Sequence, residues 1–310
     1  LDQGGTGRPN RSRLFVSANR FRLLGFPCTP YLSGMAGTLY VVATPLGNLG
    51  DLSERAGQVL RTVSVVAAED TRRTRGLLTH LGAAPQLLSY HAHSDHKRLQ
   101  SLLQILDDGR DVALVSDAGT PAISDPGTEL VAAAREAGIP VVPIPGPSAV
   151  ATALSAAGFK GDRYLFLGFV PRKGSERTRL LLRAAQEEWC VVFFEAPPRL
   201  SDLLADLAKV APGRRAVIAR ELTKLHEELR IGTVEELGQY YSESPPRGEL
   251  TIVLEGTGAP VKPPDRTEDA KEQASLLLAE GLTRREVVRR LSDTLGLSRN
   301  DAYRLVMELP

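Results

Sequence analysis

Residues Asp111–Gly127 read DVALVSDAGTPAISDPG: a short apolar run, then a loop holding two aspartates, two glycines and two prolines. The run DVALV suits a strand buried on both faces, as in a parallel sheet. In open sheets of that kind ligands sit beyond the carboxyl ends of the strands. Glycine lets backbone approach a ligand and proline stiffens a loop where no donor is needed, so this loop reads either as an ordinary turn or, with others like it at the same sheet edge, as part of a preformed small-molecule site.

The chain on either side repeats the pattern. Apolar, β-branched runs at Leu39–Ala43, Val63–Ala68 and Val141–Ile144 alternate with helix-like segments, DLSERAGQVLRT from Asp51 and GTELVAAAREAG ending at Gly138. Strand and helix in this rhythm predict a mostly parallel sheet covered on both faces. A second set follows in RYLFLGF, WCVVFFEA, RAVIAREL and GELTIVLEG, with a break between Gly146 and Gly158. The expectation is an α/β fold of two lobes, 37–147 and 148–256. The Pro-rich GTGAPVKPPD marks a linker over 257–267, and 268–310 reads as three short helices with Thr283 and Ser298 as N-caps. Two more loops at the strand ends, TPLGNLGD from Thr44 and PIPGPSA from Pro143, share the turn chemistry of the first.

Composition excludes several classes. With 310 residues and 42% hydrophobic content the chain supports about two domains. No apolar run approaches the roughly 18 residues of a membrane span, so the expectation is a soluble protein without a membrane partner. Two cysteines give no disulfide framework and no cysteine metal site, which fits a cytoplasmic location, and Cys190 within WCVVFF reads as a buried thiol. Cys28 falls in the segment 1–36, which is rich in arginine, poor in acids and without sustained period. That segment reads as a disordered extension ahead of a natural start at Met35, or as a targeting segment. Neither GxGxxG nor GxxxxGK[ST] occurs, which removes the standard dinucleotide and P-loop sites.

The net charge is +1, with +4 over residues 1–35, zero over 266–310 and −3 between. A nucleic-acid partner would therefore need local patches. Residues 160–183 supply one, with seven basic side chains against Asp162 and Glu176. It reads either as a phosphate-binding surface or as a solvated helix face. The C-terminal arginines Arg284, Arg285, Arg289, Arg290, Arg299 and Arg304 lie in a helix-turn-helix-like segment that could hold RNA or simply pack as a cap. His91, His93 and His96 have a spacing open to a metal, to phosphate or to solvent; no metal is expected, and RNA contact is the preferred functional reading.

Seven strings in one order carry a resemblance: GTLYVVATPLGNLGDLSERA, AAEDTRRT, ALVSDAGTPAISDPG, VVPIPGPSA, FFEAPPRL, ARELTKLHEE and GELTIVLEG. Together, from Gly37 to Gly256, they resemble the ribosomal RNA small subunit methyltransferase I family, a branch of the tetrapyrrole-methylase fold. The resemblance implies S-adenosylmethionine (SAM) in the cleft between the lobes, a homodimer, and 2′-O-methylation of a cytidine in small-subunit ribosomal RNA near the decoding site, as naked RNA or in the assembled particle. It implies cofactor contacts from Asp117, Gly119 and Thr120 in the opening loop, from Pro45 and Gly47 in the first loop, and from Ser148, Ala149, Phe194, Ala219 and Leu250. TPLGNL departs from the GxGPGD form of the macrocycle enzymes, which argues against a tetrapyrrole substrate.

Methyl transfer from a sulfonium to a hydroxyl requires alignment of two reactants and removal of a proton, and no metal. Glu69 and Asp70 at the end of VSVVAAED, and Glu195 in FFEA, are the candidate bases; each could equally be a salt-bridge partner, and Asp70 a helix cap. Arg72, Arg73, Arg172, Lys173, Arg177 and Arg179 are the candidate RNA contacts. Two other readings stand beside this one: a SAM-dependent tetrapyrrole methyltransferase, and a non-catalytic RNA-binding assembly protein on the same fold.

Overall fold

Hydrophobic periodicity builds the first lobe. In the computed structural model, which describes residues 36–91, 96–259, 266–279, 281–295 and 299–309, the runs named above become β1 (Leu39–Val42), β2 (Val65–Ala68), β4 (Val112–Val115) and β5 (Val141–Ile144). With β3 (Gln86–Ser89) they form an all-parallel sheet in the order β3-β2-β4-β1-β5. Successive strand residues point to opposite faces. Val65 and Ala67 accordingly pack toward α3 (His96–Asp107) and α4 (Thr128–Glu136), while Val66 and Ala68 pack toward α1 (Glu54–Thr62) and α2 (Thr71–His80). Both faces are covered, so β2 and β4 are buried throughout.

The second lobe begins with α5 (Ala149–Ala156) and holds β6 (Tyr164–Phe169), α6 (Ser175–Gln186), β7 (Cys190–Glu195), α7 (Leu200–Val210), β8 (Arg215–Arg220), β9 (Glu228–Thr233), α8 (Val234–Glu243) and β10 (Leu250–Leu254). Its sheet runs β6-β7-β10-β8-β9. This sheet is mixed, unlike the first: only β6 and β7 pair parallel, and the other three pairs are antiparallel. The short connection from Arg220 to Glu228 turns β8 directly into β9, which a parallel crossover of a dozen or more residues could not do. Helices α6, α7 and α8 cover one face; α5 covers the other, against Cys190, Val192, Val217 and Val253. Cys190 is buried, as its strand context suggested.

Three further helices, α9 (Arg266–Ala279), α10 (Arg284–Leu295) and α11 (Arg299–Met307), close around Ala270, Ala274, Val287, Leu291, Ala302 and Val306. Thr283 caps α10 as its sequence position implied: Glu286 N donates to its hydroxyl at 3.4 Å, and Glu286 Oε2 accepts from the Thr283 amide at 2.9 Å. Ser298, Cys28 and the rest of residues 1–35 lie outside the described residues. Among the described residues no helix is long and apolar enough to cross a membrane.

Candidate active site

Three loops meet at the carboxyl edge of the first sheet. Thr44 and Gly119 exchange backbone hydrogen bonds at 2.9 and 3.0 Å, Thr44 Oγ1 donates to Ser116 O at 3.1 Å, and Thr120 Oγ1 donates to Pro147 O at 3.1 Å. Gly119 makes the junction possible, for its φ of +83° is one that side chains resist and a Cβ there would press Leu46 at 3.3 Å. The loop from β4 is thus clamped to the loops from β1 and β5 by bonds within the protein.

The second lobe faces this edge and encloses with it a cavity of about 400 Å³, within the ~300–1,000 Å³ range of small-molecule sites. Its apolar walls include Leu46, Ile123, Phe169, Phe194 and Leu250, with Phe169 and Phe194 edge to face at 5.5 Å. Asp117, Gly119, Thr120, Ser148, Ala149, Phe194 and Leu250, all expected at a cofactor, line it together, as do Glu69, Glu195 and Arg73.

Other expected residues fall elsewhere. Pro45 and Gly47 do not line the cavity; Leu46 between them does. A Cβ on Gly47 would collide with the Lys224 side chain, so this glycine serves the packing of one loop on another. Ala219 is buried in β8, paired with Thr251 of β10 and packed in the core beneath α5. Asp70 caps α2: its Oδ1 accepts from Arg72 N at 2.8 Å and its Oδ2 pairs with Arg72 Nη2 at 2.8 Å, outside the cavity. Those bonds hold its carboxyl at about 2, too acidic for a good base near neutrality.

Five carboxyl groups line the cavity, from Glu69, Asp117, Asp125, Glu195 and Glu249, and Arg73 is the only cation among the lining residues described. Asp117 Oδ1 accepts from Asp70 N at 3.0 Å, Asp117 N donates to Glu69 Oε2 at 3.4 Å, and Arg73 Nε lies 3.7 Å from Asp117 Oδ2. Burial pushes the Glu69 carboxyl up, against the pull of the Asp117 amide. Burial, seconded by the charge of Glu69, pushes Asp125 up to about 6. Glu195 has a fully buried side chain and is also raised by burial. Its Oε1 accepts from Ala196 N at 2.8 Å; its Oε2 lies 3.1 Å from Arg199 Nη2, which donates instead to Val170 O, and so lacks a hydrogen-bond donor.

This donor set fits SAM. An electronegative wall suits its sulfonium and ammonium, the aromatic and aliphatic wall suits its adenine, and the α5 N-terminus at Ser148–Val150 suits its carboxylate. The orphaned Glu195 Oε2 is an acceptor that a bound ligand could satisfy.

A second cavity, of about 780 Å³, meets the first at Ala196, and its charged lining is Arg172, Lys173, Arg177, Arg199 and Lys209 with Asp202 and Asp206. Arg172, Lys173 and Arg179 are exposed. Arg177 is not: its Nε pairs with Asp206 at 3.0 Å and its Nη1 donates to Pro171 O at 3.1 Å. It shares the inward face of α6 with Leu181 and Ala184 and sits in the floor of this cavity, tied to Asp206 and Pro171, rather than on the exposed face. Arg72 and Arg73 stand at the other rim, 88% and 60% exposed. His93 lies outside the described residues, and among those described no group of three His, Cys, Asp or Glu is set to hold a metal. Asp125, Phe169, Glu249, Arg199 and Lys209 join these sites without a sequence signal of their own. Asp125 stood within the loop singled out first; the others come from distant segments and no spacing connects them.

Comparison with known proteins places this geometry. The model of the tetrapyrrole (corrin/porphyrin) methylases matches residues 38–238. A protein of Synechocystis named ribosomal RNA small subunit methyltransferase I is 45% identical over 88% of this chain and 98% of its own length. Its namesake in Pseudomonas aeruginosa is 42% identical over 88% and 98%. Among solved structures, the methyltransferase CobJ superposes with a TM-score of 0.56 at 18% identity, over 74% of this chain and 98% of its own. Uroporphyrin-III C-methyltransferase from Thermus thermophilus, complexed with S-adenosyl homocysteine, gives 0.52 at 18% over 70% and 97%; both support the fold.

Proposed function

The chain belongs to the ribosomal RNA small subunit methyltransferase I family within the tetrapyrrole methylases, and on that premise we propose that it transfers a methyl group from SAM to the 2′-hydroxyl of a cytidine in small-subunit ribosomal RNA, near the decoding site. The observation that carries this reading is one cavity with opposite surroundings: an electronegative interior between the lobes and exposed arginines and lysines at its rims. A cationic cofactor suits the interior and a polyanion suits the rims.

SAM supplies an electrophilic methyl group activated by its sulfonium. Asp117 and Glu69 oppose its positive charge from the first lobe, Phe194 and Leu250 present an apolar wall from the second, and the backbone of Gly119 and Thr120 closes the floor. Arg73 at the first cavity with exposed Arg72 next to it in the chain, and Arg172 and Lys173 at the second with exposed Arg179 on α6, hold backbone phosphates, so that the target ribose enters between the two groups. The task of this chain is alignment, which alone can lower the barrier by about 7–11 kcal/mol. Asp70 serves by capping α2, and Glu195 by completing the cofactor wall. The protein works as a homodimer in the cytoplasm on the ribosomal RNA or the assembled small subunit.

Incubation with labelled SAM tests the reading. Small subunits from cells lacking this methylation, and separately their naked RNA, are offered beside a porphyrinogen. Label in 2′-O-methylcytidine of the RNA supports it; label in the macrocycle alone, or in neither, overturns it.

A further inference from the structure

We propose that Asp125 is the catalytic carboxylate that accepts the ribose hydroxyl proton during methyl transfer. The inference rests on the function proposed above and adds a residue to it.

The backbone around Asp125 is held where side chains resist. Ala122 and Ser124 both have left-handed φ, 66° and 62°, a conformation that costs roughly 1–3 kcal/mol per residue and persists where the surroundings impose it. Gly127 ends the stretch at φ +135°, where a Cβ would lie 2.7 Å from Leu114 Cδ2. Across the cleft β6 is irregular between Phe166 and Phe169, and Gly168, at φ +64°, leaves room for Ser124 Oγ, 3.1 Å from where its Cβ would be. A bulge re-aims side chains and is frequent beside active sites. A strained loop from one lobe and a bulged strand from the other therefore meet at the cavity.

Their meeting places Asp125 on the cavity wall beside Ile123 and Phe169, apolar side chains that are 44% and 56% exposed and so mark its open side. A substrate hydroxyl must enter from that side. The other carboxyls on the wall have charged or amide partners: Glu249 pairs with Lys224, Glu69 and Asp117 are bonded to each other's loop, and Glu195 takes the Ala196 amide through Oε1 and lies beside Arg199, with its remaining oxygen turned to the cofactor wall; Asp70, off the cavity, pairs with Arg72. Asp125 has no ion pair among the described residues. Burial comes first in raising its proton affinity, and of the charged groups around it Glu69, Asp117 and Glu249 act in the same direction. The outcome, about 6, is that of a base ionised at pH 7 yet able to take a proton.

The step balances. The hydroxyl oxygen bonds to the methyl carbon as that carbon's bond to sulfur breaks, and the electron pair stays on sulfur as a neutral thioether. The hydroxyl proton passes to Asp125 and from there to bulk water through the open side.

Single-turnover methyl transfer to unmodified small subunits, followed from pH 5 to 8, decides the matter for the wild type, Asp125→Asn and Asp125→Glu. The wild-type rate should climb as pH rises through about 6 and then level. Asp125→Asn should be slower by about a hundredfold or more, with calorimetric SAM affinity within about twofold of wild type, and Asp125→Glu should recover part of the rate. A wild-type-like rate for the asparagine variant overturns the proposal, as does loss of SAM binding by that variant while still folded. Absence of any RNA methylation by the wild type overturns the proposed function, and this inference with it.

Discussion

The carboxylate of Asp117 faces two ways. Its Oδ1 accepts the Asp70 amide and its Oδ2 lies 3.7 Å from Arg73 Nε at the cavity wall, so a substitution must separate support from binding. Asp117→Asn keeps an acceptor for the amide and removes the charge. It should lower SAM affinity by about 1.5–3 kcal/mol, the cost of a lost charged hydrogen bond, and leave the melting temperature nearly unchanged; calorimetry with unaltered affinity would remove Asp117 from the site. Asp70→Asn should retain most activity, since asparagine caps a helix about as well as aspartate. Asp125 offers a sign-definite test of its surroundings. Because its folded-state carboxyl is raised from 3.8 to about 6, ionisation there opposes folding above pH 6 and that penalty disappears as pH falls toward 4. A rise of that size corresponds to roughly 3 kcal/mol, which solvent on the open side screens to about 1 kcal/mol. Asp125→Asn should therefore melt higher than wild type at pH 7 and equally at pH 4; thermal unfolding at the two pH values checks the sign.

Helix α6 shows how an element sorts residues of one chemical type. Its arginines all looked alike as a charge cluster, but helical spacing puts Arg177 in register with Leu181 and Ala184 on the core side. Arg177→Ala should cost about 1–3 kcal/mol of stability through the lost bonds to Asp206 and Pro171. Replacing exposed Arg172, Lys173 and Arg179 together should leave stability intact and flatten the salt dependence of RNA binding by roughly 2 to 3 log units of slope, near 0.7–0.9 per phosphate contact. Filter binding across a salt series measures the slope, and no change in it would make this face merely solvated. Legibility at this scale follows burial. Strands β1, β2, β4 and β5, and in the second lobe β6, β7, β8 and β10, stand out as apolar runs. Strands β3 and β9 do not, although β5 and β6 are edge strands too, because β3 opens on an exposed polar residue and β9 interleaves charged and apolar ones. Gln86 and the alternately exposed Leu229 and Ile231 give such strands no continuous apolar signal.

At the scale of the molecule, order along the chain gave away the two lobes, and the loops at the strand ends gave away one side of the cleft. The other side was only partly readable. Phe194 and Leu250 came from family resemblance, whereas Phe169 reaches the cavity through a bulge that no sequence period announces. Asp125 stayed hidden because a carboxyl between Ser124 and Pro126 reads as turn chemistry, and its environment becomes unusual only once folding buries it beside Glu69, Asp117 and, from the second lobe, Glu249. Antiparallel pairing in the second sheet went unread for a related reason: burial on both faces makes a strand apolar whichever way its neighbours run.

The central claim is that this cleft methylates a ribose of small-subunit RNA. Mass spectrometry of nucleosides from the small-subunit RNA of cells lacking the protein, re-supplied with wild type or with Asp117→Asn, tests it most directly. The account predicts a 2′-O-methylcytidine that vanishes with the protein, returns with the wild type and returns weakly with the variant; an unchanged 2′-O-methylcytidine content in all four cell types, the parent included, would contradict it.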